Sequence, residues 1–111
     1  MRILLVHAGA DFSISDVAFG LRSALVSAGH EVADYSVTRR LEYHAAAMRI
    51  GGADVSPEHF PAIAKQASEN VLIEALYHRA DLVLLVSGLN FHPVGIHLLD
   101  RVKKPRIQLA I

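Results

Sequence analysis

ADLVLLVSG (residues 80–88) carries five consecutive apolar side chains, Leu82, Val83, Leu84, Leu85 and Val86, followed by a small-residue exit at Ser87 and Gly88. Such a short run, rich in Val and Leu and bounded by turn residues, reads as a strand apolar on both faces. A second run of the same kind opens the chain, from Ile3 to Val6 in MRILLVHAGADFS (residues 1–13). Strands buried on both faces belong to a parallel sheet with helices above and below it. The two runs are therefore expected side by side at the centre of one sheet.

The segments around them supply the helices. In SISDVAFGLRSALVSAGHEV (residues 13–32), Ser13 and Asp16 have capping-box spacing, with Asp in place of the usual Glu. Val17, Leu21, Ala24, Leu25 and Ala28 fall on one helical face, and Gly29 is placed to end the helix. EVADYSV (residues 31–37) mixes Val32, Ala33 and Tyr35 with polar residues, as expected of a strand near an edge. Leu41, Ala45 and Met48 mark a helix from Arg39 to Arg49, stopped by Gly51 and Gly52. Ser56 and Pro57 then begin a longer helix, as cap and first helical residue. Its stripe is Phe60, Ile63, Ala64, Ala67, Val71, Ala75 and Tyr77. A short helix runs from Pro93 to about residue 102 with Ile96, Leu99 and Val102 inward, and Pro105 leads into a last strand, RIQLAI.

This alternation predicts a single α/β domain over residues 1–111, a Rossmann-like open parallel sheet of strand order 2-1-3-4 with helices on both faces. The last strand ends in Leu109, Ala110 and Ile111. An apolar edge of that kind needs a cover. The expectation is an incomplete N-terminal half-domain, truncated after its fourth strand, or a second subunit over residues 107–111.

Composition narrows the partners. Over 111 residues, 11 Lys and Arg balance 11 Asp and Glu, which argues against nucleic acid or an anionic membrane as the main partner. Cysteine is absent, which excludes disulfides and thiolate chemistry and fits a reducing compartment. No apolar run approaches the ~20 residues that a bilayer requires, and the opening run meets Asp11 too soon for a signal-peptide core. The expected location is the cytoplasm.

In an open parallel sheet, ligands bind beyond the carboxyl ends of the strands, where the strand order reverses. Here that point lies between the first and third strands, at the loops HAGADFS (residues 7–13) and GLNFHP (residues 88–93). Each loop feeds a helix N-terminus, where backbone N–H groups favour an anion. The loop chemistry is less specific. HAGAD is neither a dinucleotide fingerprint nor a Walker loop, and Asp11 repels a phosphate set against it. Small residues there serve a tight strand exit equally well. His7 and His92 face the expected crevice, although a lone histidine is more often a structural hydrogen bonder than a base. Asn90 can cap the last helix or bind a sugar hydroxyl, and capping is the commoner role. Arg39 and Arg40 lie on the same edge of the sheet and can reach a phosphate or remain solvated. The histidines have no metal-ligand spacing, so no metal is expected, and the absence of a serine-hydrolase elbow leaves that chemistry without support.

MRILLVHAGADFS, LRSALVSAGHEV and HRADLVLLVSGLNFHP together resemble the N-terminal domain of GT-B glycosyltransferases, most of all the spore-maturation-type, CgeB-like family. The resemblance covers nearly the whole chain. It implies a two-domain transferase in which this domain holds a small-molecule or glycan acceptor. A C-terminal domain, absent here, would bind the nucleotide-sugar co-substrate, with no other cofactor and no bound metal, so this chain alone would be inactive. By position, His7, Gly9, Ala10, Phe12, Ser13, Gly88 and Asn90 would line the acceptor side. An inverting enzyme would take its general base from Asp11 or His92. The alternative is a stand-alone flavodoxin-like module that binds a nucleotide or dimerises without catalysis.

Overall fold

The structure is a computed structural model, and it describes residues 1–9, 15–86, 91–102 and 106–110. Strand β1 (Arg2–His7) leads to helix α1 (Ser15–Ser27), strand β2 (Glu31–Ser36) and helix α2 (Val37–Ile50). A single 3-10 turn at Pro57–His59 opens helix α3 (Phe60–Tyr77), followed by β3 (Leu82–Val86), α4 (Pro93–Asp100) and β4 (Arg106–Ala110). β1 lies between β2 and β3, parallel to both, as the sequence predicts. β4 runs parallel to β3 on its far side. Each strand reaches the next through a helix, the connection that parallel pairing demands.

Side-chain alternation along β1 explains why both faces need helices. Leu4 and Val6 point to one side, where they meet Val71 and Ala75 of α3, Leu99 of α4 and Val83 and Leu85 of β3. Ile3 and Leu5 point to the other side, with Leu84 and Val86, against Ala18 of α1. Leu4, Leu5, Val6 and Val83 have essentially no exposed surface. Burying each such side chain contributes roughly 1.5–3 kcal/mol, so the β1–β3 pair is a large source of stability.

The helices depart from their expected faces in two informative ways. On α1, Ala18 rather than Val17 is buried; Val17 is 50 % exposed, and Leu21 and Leu25 pack half-buried. The small alanine lets the helix approach the sheet closely. On α3, Ile63, Ala64, Ala67, Val71 and Ala75 are buried as expected, but Phe60 and Tyr77 are exposed. These are the first and last residues of an 18-residue helix, about 27 Å long at 1.5 Å per residue. The five-residue strand beneath it spans only about 17 Å. The helix is longer than the strand it packs over, and its terminal apolar residues stay outside the core.

Two local devices set the helix starts. β2 passes into α2 with no loop, because Ser36, still extended, caps the helix by accepting the Arg39 N–H at 3.3 Å. The expected start at Arg39 is thus two residues late. The cap of α4 is His92 and not Asn90, which lies outside the described residues: the His92 Nδ1 accepts the Val94 N–H at 3.0 Å. Fully buried Ser68 on α3 then accepts the His92 N–H at 2.7 Å while its hydroxyl donates to the Ala64 carbonyl. α4 sits this close to α3 because residue 95 is glycine. A Cβ there would lie 2.7 Å from the Ser68 carbonyl oxygen and 2.6 Å from the Phe91 ring.

Gly95→Ala should therefore force α4 away from α3, at a cost of about 1–3 kcal/mol. A thermal melt should show the midpoint falling by about 4–8 °C for each kcal/mol lost. An unchanged midpoint would mean that α4 does not depend on this contact.

Candidate functional site

The carboxyl end of β1 is held against α2. Both the backbone N–H and the hydroxyl of Thr38 donate to the Ala8 carbonyl. Gly9 follows with φ +132°, and a Cβ on it would come within 3.1 Å of the Thr38 side chain. Glycine is required here on both counts: the backbone is in a region closed to other residues, and the chain crosses tightly over the start of α2.

A cavity of about 470 Å³ opens beside this crossing, at the carboxyl ends of β1 and β2. His7 and Gly9 from β1 and its exit, Phe19 from α1, and Asp34 and Ser36 from β2 line it. Thr38, Arg39 and Glu42 from the first turns of α2 complete the wall. The parallel register sets His7 opposite Ser36, so the ends of both strands reach the same rim. Asp34 and Ser36 alternate with buried Tyr35, and therefore share the sheet face on which Val32, Leu5 and α1 pack.

The electrostatics of the cavity are mixed. Arg22 of α1 reaches Asp34 with an Nε–Oδ2 distance of 2.8 Å. Among the described residues, neither Arg39 nor Glu42 enters an ion pair. Burial holds the His7 pKa below its ordinary value, with the Asp34 carboxylate opposing the shift, so His7 is favoured as the neutral ring. Its ring lies 6.5 Å from that of half-exposed Phe19, tilted by 52°. The lining thus offers hydroxyls, carboxylates, one guanidinium, a neutral imidazole and an aromatic ring.

Of the residues expected to bind, His7 and Gly9 line this cavity. Ala10, Asp11, Phe12, Ser13, Gly88 and Asn90 lie outside the described residues. His92 is on the β3 side, where its Nδ1 lone pair serves the α4 cap. The Gly95 N–H goes to the His92 carbonyl. These two N–H groups of α4 therefore turn to its own cap rather than outward to an anion. Arg40, unlike Arg39, is drawn into the fold: it pairs with Glu74 of α3 at 3.0 Å and lies over the rings of Tyr35 and Tyr43.

Sequence reading looked between the first and third strands and passed over Phe19, Asp34, Ser36, Thr38 and Glu42. The signal lay in DYS (residues 34–36), whose polar residues flank a core tyrosine at a strand end parallel to His7. Among the described residues, no cluster of three or more His, Asp or Glu could hold a metal, and no helix is long and apolar enough to cross a membrane.

Fold and site together define an α/β protein with an open parallel sheet and a polar cavity at the carboxyl edge of β1 and β2. No protein-family model, no curated protein and no solved structure matches the chain.

Two outcomes follow from this geometry. Gly9→Ala should cost about 1–3 kcal/mol, because alanine is strained at this φ and meets Thr38, and urea unfolding of the variant measures it. His7 and His44 both have lowered pKa values, His7 through burial and His44 through burial and the nearby Arg40 guanidinium. In each, the unfolded chain binds protons more readily than the folded one, so protonation favours unfolding. Their contribution should be complete above the unfolded value of 6.5 and be lost as pH falls below it. Urea melts between about pH 5 and 8 should show this rise, flattened by His7→Asn with His44→Gln; a decline with rising pH through the same range contradicts it.

Proposed function

We propose that this chain is a Rossmann-like, acceptor-side unit of a GT-B-type glycosyltransferase, and that the cavity beside β1 and β2 receives a hydroxyl-rich acceptor. The nucleotide-sugar donor would be bound by a further domain or subunit, and sugar transfer would take place where the two meet. The resemblance of MRILLVHAGADFS and HRADLVLLVSGLNFHP to that family motivates the reading.

The observation that carries it is the cavity's balance of charge. Asp34 and Glu42 supply two carboxylates and Arg39 one guanidinium, while Arg22 engages Asp34 from outside the lining. A phosphate needs an excess of positive charge or a set of unoccupied backbone donors. This cavity has neither in abundance: the Thr38 and Arg39 N–H groups at the start of α2 go to Ala8 and Ser36. A neutral polyol, in contrast, uses carboxylates and guanidinium as paired acceptors and donors. Phe19 offers a face for its C–H groups. This favours a sugar-like ligand over the flavin or nucleotide of a flavodoxin-like module.

The test is a saturation-transfer NMR titration of the purified chain with neutral mono- and disaccharides, nucleoside monophosphates and flavin mononucleotide. Neutral sugars should bind and the phosphorylated ligands should not. Asp34→Ala should weaken sugar binding about tenfold or more, as expected for loss of a charged hydrogen-bond partner. Asp34 is part-exposed and its ion pair with Arg22 lies at the surface, so the fold should tolerate the change. Binding of flavin or nucleotide in place of sugar would overturn the reading in favour of the flavodoxin-like alternative.

A further inference from the structure

We propose that the ligand of this cavity is amphipathic, with its hydroxyl-rich end beside β1 and β2 and an apolar tail lying along α2. The inference rests on the reading of the polar cavity given above and names the chemistry of the rest of the molecule bound there.

A second cavity of about 380 Å³ runs between α2 and the start of α3. Leu41 and Ala45 of α2, Val55 and Pro57 of the connection, and Phe60 and Ile63 of α3 form its apolar lining. Glu42 lines this groove and also the polar cavity, so the two share a wall. Thr38 in the polar cavity and Glu42, Ala45 and Arg49 in the groove are spaced i, i+4, i+7 and i+11 along α2. Residues at that spacing share one helix face. The two cavities therefore lie end to end along α2, over about 16 Å at 1.5 Å per residue.

The groove has the features of a binding surface rather than of loose packing. Phe60 belongs by periodicity to the core stripe of α3, yet it is 46 % exposed and forms part of the groove. Among the described residues, Arg49 enters no ion pair. An apolar lining with a few polar groups at its margins is the usual composition of a small-molecule site. A sugar alone fills only the polar cavity. A sugar joined to an alkyl or aryl group would fill both, which makes glycosides with an apolar aglycone the fitting acceptor class.

The experiment measures binding of methyl, butyl and hexyl β-glucosides, below their micelle concentrations, to the full chain and to two variants. Ala45→Arg fills the groove from α2, and Phe60→Ser removes apolar surface from the opposite wall. Phe60 is partly exposed, so the second variant keeps the test valid if the first misfolds. Affinity should rise with chain length, up to about fourfold for each fully buried methylene. Ala45→Arg should abolish that rise and Phe60→Ser should reduce it, with methyl glucoside binding unchanged in both. A flat series in the wild type, with methyl glucoside still bound, overturns this inference alone. So does a chain-length gain that survives both substitutions. If no glucoside binds and hexanol does, the polar-cavity reading fails and the inference falls with it. A dimer converted to monomer by Ala45→Arg, with no dependence on chain length, assigns the groove to a second copy and also overturns the proposal.

Discussion

β1 and β3 can be satisfied only when both of their faces are covered, and this constraint organises the rest of the molecule. Leu4 and Val6 require one layer of helices, while Ile3 and Leu5 require another. Neighbouring parallel strands need a crossover between them, and each crossover helix supplies part of the cover. α1 protects one face, and α3 and α4 protect the other. The same connectivity brings the carboxyl ends of β1, β2 and β3 to one rim of the sheet, which is where an open parallel sheet presents a ligand site.

α2 joins that core to the site. Its first turn is tied to β1 through Thr38 and Ala8, and its body to α3 through Arg40 and Glu74. A second tie links the Asn70 amide of α3 to the His44 Nε2 at 2.7 Å. β2, which leads directly into α2, is itself tied to α3: the Tyr35 hydroxyl donates to the Ala67 carbonyl, and burial raises the phenol's pKa, so the group stays protonated and able to donate. These contacts fix one side of α2, and another side is left to line the polar cavity and the apolar groove. Thr38 belongs to both groups: it ties the first turn to Ala8 and also lines the polar cavity.

Much of the candidate site escaped sequence reading for the same reason. His7 and Gly9 were recognisable because they leave an obvious strand. Asp34, Ser36 and Thr38 sit at a strand-to-helix junction with no intervening loop, so no turn residues mark it. Phe19 and Glu42 come from helix surfaces, where an exposed aromatic or carboxylate looks like ordinary solvent-facing sequence. For His92 the sequence leaves a structural hydrogen bond and a chemical role open, and its Nδ1 is the cap that begins α4.

The sequence by itself determined which segments extend and which coil, because apolar period and capping residues act over a few neighbours. It also determined that β1 and β3 lie at the centre, since no other strands are as continuously apolar. Only the tertiary structure decided which side of α1 turns inward. Val17 and Ala18 differ by 100° around the helix, and close approach to the sheet selects the smaller residue. It likewise decided that Phe60 and Tyr77 stay outside, because the length of α3 relative to β3 is not written in either segment alone. The cavity beside β1 and β2 depends on several elements meeting at one rim, a relation between distant parts of the chain that local pattern does not encode.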